Sequence, residues 1–258
     1  MTAARVLMGG QNLPDPWLRA LSLIAIIAAW QVGALIAESR LFPGPLTVAH
    51  ALYEHAVNGE LVGHVGITLY RVAVSFVIAM ALGTAVGIIM GRCHQADVML
   101  HGLLVLGLNI PALVVIILCY IWFGLTEVAA ILAVVVNKFP IVVVNLREGT
   151  RAIDSELLQV AQVFRLDRRR TFFRVYLPQL YPYLMASTRS GLALIWKIVL
   201  VVELLGRSDG VGFKLAEFFH FFDIIGLLSY SFAFIAVVLV IELVGIGPLD
   251  RRLRAWRP

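Results

Sequence analysis

The sequence predicts an all-α, polytopic membrane protein with about six transmembrane helices in a single domain spanning residues 1–258. Three observations carry this prediction. The chain is 60% hydrophobic and only 14% charged, whereas globular proteins carry roughly 25% charged residues. Its mean hydropathy is +0.91. Its apolar runs reach the length of about 20 helical residues that a hydrocarbon core requires. The net charge of +5 lies in loops beside apolar segments, which argues against a nucleic-acid surface. Cys93 and Cys119 suggest neither a disulfide framework nor a metal site.

The chain opens on a polar stretch closed by Pro14 and Pro16, with no signal-peptide pattern, so the first apolar run at 17–36 reads as a retained span. The linker Leu41-Phe42-Pro43-Gly44-Pro45 follows, then a short amphipathic helix over 47–57 with Thr47 as its cap. The second span covers 67–90. Within it Ser75, Ala79, Gly83, Gly87 and Gly91 recur every fourth residue, a row of small side chains that lets two helix backbones approach closely in lipid. Arg71, near the outer end of this span, is expected to snorkel to the interface.

The third span covers 98–123, where Asn109-Ile110-Pro111 should kink or interrupt the helix. A broken helix at membrane depth is tolerated where it faces protein or water, so Asn109 and Pro111 are candidate pathway residues, with a simple kink as the alternative. The fourth span, 128–146, contains Lys138, and the fifth, 184–205, carries Arg189, Lys197 and Glu203. Intramembrane charges face a bundle interior or an aqueous cavity. Lys138, Lys197 and Arg189 would make an anion-friendly pathway, Glu203 and Glu242 would neutralise them, and an ion pair between spans is the structural alternative. Lys197 and Glu203 lie on different helical faces and form no local pair. The sixth span covers 224–246.

With both termini on the inner side, inner segments hold Arg5, Arg19, Arg92, Arg147, Arg151, Arg165, Arg168, Arg169, Arg170, Arg174, Arg251, Arg252, Arg254 and Arg257. Outer loops hold only Arg40, Arg207 and Lys214. That asymmetry sets the orientation. It also places the basic segment 154–178 in the cytoplasm. Asp154 and Ser155 are candidate N-caps of a short helix over 156–165 there, with Glu156 near its positive end. Leu157, Leu158, Ala161 and Phe164 share one face; Leu166-Asp167 is a turn, and a second helix starts near Thr171.

This segment resembles the hallmark loop of inner-membrane permeases of binding-protein-dependent, type I ABC importers. That loop reads E-A-A, three residues, G, nine residues, I-x-L-P. Gln159-Val160-Ala161 stands in the first place, Arg165 in the glycine place and Val175-Tyr176-Leu177-Pro178 in the last, with no insertion. Gln159 replaces an acid. Arg165 lacks the freedom of glycine to take a positive φ, which predicts a tighter or shifted turn. The resemblance implies a coupling helix that docks on an ATPase, through Glu156, Gln159, Ala161, Arg165, Leu166, Asp167, Leu177 and Pro178. Weaker similarity runs from about 41 to 257 and includes Thr68-Leu69-Tyr70-Arg71 and Glu203-Leu204-Leu205-Gly206; it points to the branch serving nitrate, sulfonates and taurine.

The resemblance implies two ABC ATPase subunits that carry ATP and Mg, a second permease copy forming a homodimer, and a periplasmic or lipid-anchored substrate-binding protein. It implies a multi-pass protein of the bacterial inner membrane with both termini cytoplasmic. The chain itself has no phosphate-cradling GxxxxGK[ST] loop, no catalytic triad and no metal-ligand spacing among His50, His55, His64, His94, His101 and His220. It therefore reads as a non-enzyme that binds no cofactor. A self-sufficient secondary transporter or channel is the alternative, although such transporters show repeated halves and no internal repeat is evident here.

Overall fold

A computed structural model describes residues 16–246. The terminal arginines Arg5, Arg251, Arg252, Arg254 and Arg257, used above for orientation, lie outside the described residues, as does the side chain of Arg19. Among the described residues all regular structure is helical: α1 Pro16–Ala37, α2 Pro45–Val57, α3 Glu60–Arg92, α4 His94–Asn109, α5 Ala112–Phe123, α6 Glu127–Arg151, α7 Ser155–Val163, α8 Arg168–Thr171, α9 Leu177–Gly206, α10 Val211–His220 and α11 Ile224–Ile241. A π turn, Phe172–Tyr176, joins α8 to α9, and a second, Glu242–Ile246, follows α11.

Four helical stretches are long and apolar enough to cross a membrane: Ala20–Ala37, Glu60–Arg92, Glu127–Arg151 and Ile224–Gly245. The expected third span is not one straight helix. Its halves, α4 and α5, are bent by 100°. Pro111 supplies no N–H and disfavours helical geometry at Ile110, which is extended at φ −72° and ψ 126°. Helix α9 has the length to span, with 30 residues, and carries Arg189, Lys197 and Glu203 within it.

The core is a three-helix contact of α3, α6 and α9. The row of small residues on α3 meets α6 turn by turn. A Cβ on Gly83 would lie 2.6 Å from Val142, one on Gly87 2.7 Å from Leu146, and one on Gly91 2.5 Å from Thr150. The pairings ascend in both helices, so α3 and α6 run parallel, and the α4–α5 pair is the return connection that parallel packing demands. Helix α9 then crosses α6. Gly191 backs onto the Lys138 side chain, and Gly149 of α6 abuts Tyr183. Close backbone approach is the main source of helix association where lipid is as apolar as the side chains. Helix α1 stays peripheral: its apolar window is unburied, and Trp30 donates to the Pro43 carbonyl at 3.1 Å to hold the linker.

Candidate coupling surface and buried polar knot

Helix α7 is built as the sequence predicts at its start. The Asp154 side chain accepts from the Glu156 N–H at 2.8 Å, satisfying one of the donors that a helix start leaves free. The Gln179 side chain in α9 accepts from the Asp154 N–H at 2.8 Å, which ties the loop to the span that follows.

Its end differs from expectation. Arg165 takes the left-handed conformation at φ 51°. The Leu166 N–H reaches the Ala161 carbonyl at 3.0 Å and the Arg165 N–H reaches Gln162 at 2.9 Å. This is the paired bonding of a Schellman stop, made at the position where the resembled loop carries glycine. The turn is neither tighter nor shifted; the arginine accepts the backbone strain. Asp167 then caps the next helix, accepting from the Arg170 N–H at 2.6 Å. That helix begins at Arg168, earlier than the expected Thr171, and runs through the π turn into α9.

The apolar residues of α7 divide between two faces. Ala161 is 2% exposed, and Leu158 packs on the cluster of Val142, Leu146, Tyr176 and Leu180. These two residues anchor the helix to its own chain. Leu157, Val160, Val163 and Phe164 point away, with Val163 80% and Phe164 74% exposed. Of the sequence-derived coupling residues, Glu156, Gln159, Arg165 and Asp167 are exposed, Leu166 is half-buried, and Leu177 and Pro178 lie half-buried in the first turn of α9. Ala161 is turned inward, so no partner can touch it. Val160 and Val163, which sequence reasoning did not single out, supply much of the free face.

At the opposite end of α3 the structure gathers a polar knot. Arg71, expected to snorkel, is instead buried. Its guanidinium donates to both oxygens of Glu127 at 2.7 and 2.8 Å, to Glu203 at 2.8 Å, and to the Asp209 carbonyl at 3.0 Å and carboxylate at 2.5 Å. Glu203 is fully buried and also accepts from the Thr68 hydroxyl and the Gly212 N–H, each at 2.9 Å. Arg207 reaches Glu127 at 3.0 Å. His64 and Thr68 accept from the N–H groups of Gly210 and Val211 at 3.0 and 2.9 Å. A buried charge survives only when paired and hydrogen-bonded, and here five segments are tied into one knot: α3, the start of α6, the end of α9, the loop 207–210 and the start of α10. Glu203 is therefore a structural partner between spans and is not free to meet a solute. Beside the knot, burial opposes the charge on Lys214, but hydrogen bonds to Glu217 and Glu60 outweigh it and hold the lysine above its ordinary range.

The remaining pathway candidates separate. Asn109 is exposed and donates to the Val105 carbonyl of its own helix at 2.7 Å. Pro111 is exposed and caps α5. Lys138 is fully buried against Gly191, and among the described residues its ammonium has no hydrogen-bond partner. Lys197 is exposed. With Arg189, Trp196, Phe234 and Glu242 it lines a groove of about 350 Å³ between α9 and α11.

The family of binding-protein-dependent transport system inner membrane components matches residues 83–250. This chain belongs to that family. The permease is 31% identical over 250 residues to the putative aliphatic sulfonates transport permease protein SsuC of Bacillus subtilis (strain 168), covering 93% of this chain and 88% of that protein. It is 28% identical to the taurine transport system permease protein TauC of Escherichia coli (strain K12), covering 88% and 84%. It is 25% identical to the bicarbonate transport system permease protein CmpB of Synechococcus elongatus, covering 95% and 89%. Its fold is similar to a chain in the inward-facing MetNI methionine ABC transporter, with a TM-score of 0.60, 17% identity, and coverage of 73% of this chain and 92% of that one. The permease is thus a multi-pass inner-membrane protein of the importer class, with the all-helical fold that the sequence predicts.

Proposed function

We propose that the permease forms, with a second copy of itself, the membrane pathway of an ATP-driven importer for a small organic or inorganic anion of the sulfonate, taurine, nitrate or bicarbonate type. A binding protein on the outer side delivers the solute, both termini are cytoplasmic, and two ATPase subunits hold the ATP and Mg. The observation that carries this reading is the free face of α7. Leu157, Val160, Val163 and Phe164 are exposed on a helix whose other side is anchored by Ala161 and Leu158. Such a helix transmits force from a docked partner into the bundle, because Leu158 on its inner face packs on the cluster of Val142, Leu146, Tyr176 and Leu180, which the π turn shares with α6 and α9. Closure of the ATPase pair would then move α7 and switch the pathway between inward- and outward-facing states. Cations on the exposed face of α9 support an anionic solute: Arg189 and Lys197 line one groove, together with Glu242.

Copurification tests the reading. Wild-type chain extracted gently from its native membrane should bring down an ATPase subunit, and Phe164→Glu should abolish that recovery while leaving the chain itself folded. Recovery of the chain alone, with uptake intact in vesicles lacking any ATPase, would favour a self-sufficient transporter or channel instead.

A further inference from the structure

We infer that the cleft between α7 and the end of α3 binds a phosphate group, carried on the headgroup of an anionic phospholipid. The cleft encloses about 470 Å³ and is lined by Arg92, Leu158, Gln162, Arg168, Thr171 and Tyr176, among others. Its polar complement is one-sided. Its lining side chains carry two guanidiniums, an amide and two hydroxyls, and no carboxylate is among them. Among the described residues the Arg168 guanidinium has no ion-pair or hydrogen-bond partner. The nearest acid in sequence, Asp167, is engaged with the backbone and side chain of Arg170. Arg92 lies over the Tyr176 ring at 4.3 Å, which holds its charge at the mouth of the cleft.

A second, independent sign of a ligand comes from Tyr176. It is 3% exposed, yet its hydroxyl has no partner among the described residues. A buried hydroxyl without a partner costs free energy that an incoming oxygen would recover. A phosphate offers several oxygens to the forked donors of two arginines, and such charge-assisted bonds are the stronger kind.

The surroundings favour a lipid as the carrier. Arg92 ends a 33-residue helix that is long and apolar enough to cross a membrane, so the cleft opens at one end of a span. Leu158, Leu166 and Phe172 in its walls, and the exposed Phe173 beside it, suit the glycerol and upper acyl region. Basic pockets at this level select anionic over zwitterionic headgroups. A lipid seated there would brace α7 against α3 and make the set of the coupling helix depend on membrane composition.

The test uses the full chain in nanodiscs of phosphatidylcholine alone, with added phosphatidylglycerol, or with added inorganic phosphate. Lipid retained through purification and the unfolding temperature are read together. Wild type should retain phosphatidylglycerol and gain thermal stability from it. Arg168→Gln, which removes no hydrogen bond or ion pair to another described residue, should weaken retention, and Arg92→Gln with Arg168→Gln should lower it on the order of tenfold. Arg169→Gln with Arg174→Gln removes the same charge outside the cleft and should behave as wild type. Equal losses in both double variants, or no loss in either, would overturn the site. If inorganic phosphate gives the same stabilisation and displaces the lipid, the phosphate site stands and the lipid source falls. None of these readouts requires an ATPase or a transported solute, so they are independent of the importer assignment.

Discussion

Removing Arg71 should damage this permease more than removing the charge on its buried partner. In Arg71→Met, five hydrogen bonds disappear at once, and Glu203 keeps only Thr68 and Gly212 as donors while remaining fully buried. Leaving a buried charge without its counter-ion costs about 3–5 kcal/mol. Glu127 and Asp209 are about one-third exposed, so water compensates them and they add little. In Glu203→Gln the amide keeps the size and most of the donors' partners, and Arg71 retains two carboxylates; the expected cost is about 1–2 kcal/mol. The double variant lacks both the stranded charge and its partner, so it should be more stable than Arg71→Met alone. Reversible unfolding in mild detergent, analysed as a double-mutant cycle, measures this coupling. A cycle that is additive within about 0.5 kcal/mol, or Arg71→Met no worse than Glu203→Gln, would refute the account of the knot as one interdependent unit.

Three further outcomes follow from local geometry. Gly87→Leu would drive a side chain into Leu146 and the Val143 carbonyl, the latter 2.8 Å from the nearest possible Cβ, and should cost at least about 1–3 kcal/mol with loss of monodisperse protein in size-exclusion chromatography. Arg165→Gly should raise the unfolding temperature slightly, because relief of about 1–2 kcal/mol of left-handed strain exceeds the entropy of about 0.5–1 kcal/mol that glycine adds to the unfolded chain. Ala161→Glu should lower the yield and unfolding temperature of the chain itself, whereas Val163→Glu should leave both unchanged and impair only recovery of an ATPase, since the first site is buried and the second is exposed.

Much of the architecture is legible in the chain. Hydropathy locates the long helices because each must satisfy its own backbone in lipid, whatever its neighbours do. The spacing of Ser75, Ala79, Gly83, Gly87 and Gly91 discloses a close-packed face for the same reason: only small residues permit the approach. The basic segment with its Asp154 cap and its Leu177-Pro178 end is local chemistry, and local chemistry is written in order. Tertiary structure decided everything that depends on a partner remote in sequence. Which face of α7 turns inward was undetermined, since Leu158 and Ala161 are no more apolar than Val160, Val163 and Phe164; packing of Leu158 on the cluster of Val142, Leu146, Tyr176 and Leu180 made the choice. Arg165 could be assigned a left-handed φ only once the 161–166 hydrogen bonds had formed around it. Arg71 and Glu203 are 132 residues apart, and each alone reads as a misplaced charge. Their meaning as one buried pair arises only when α3 and α9 come together, because the free energy of a charge in an apolar medium is set by what stands within a few ångströms of it.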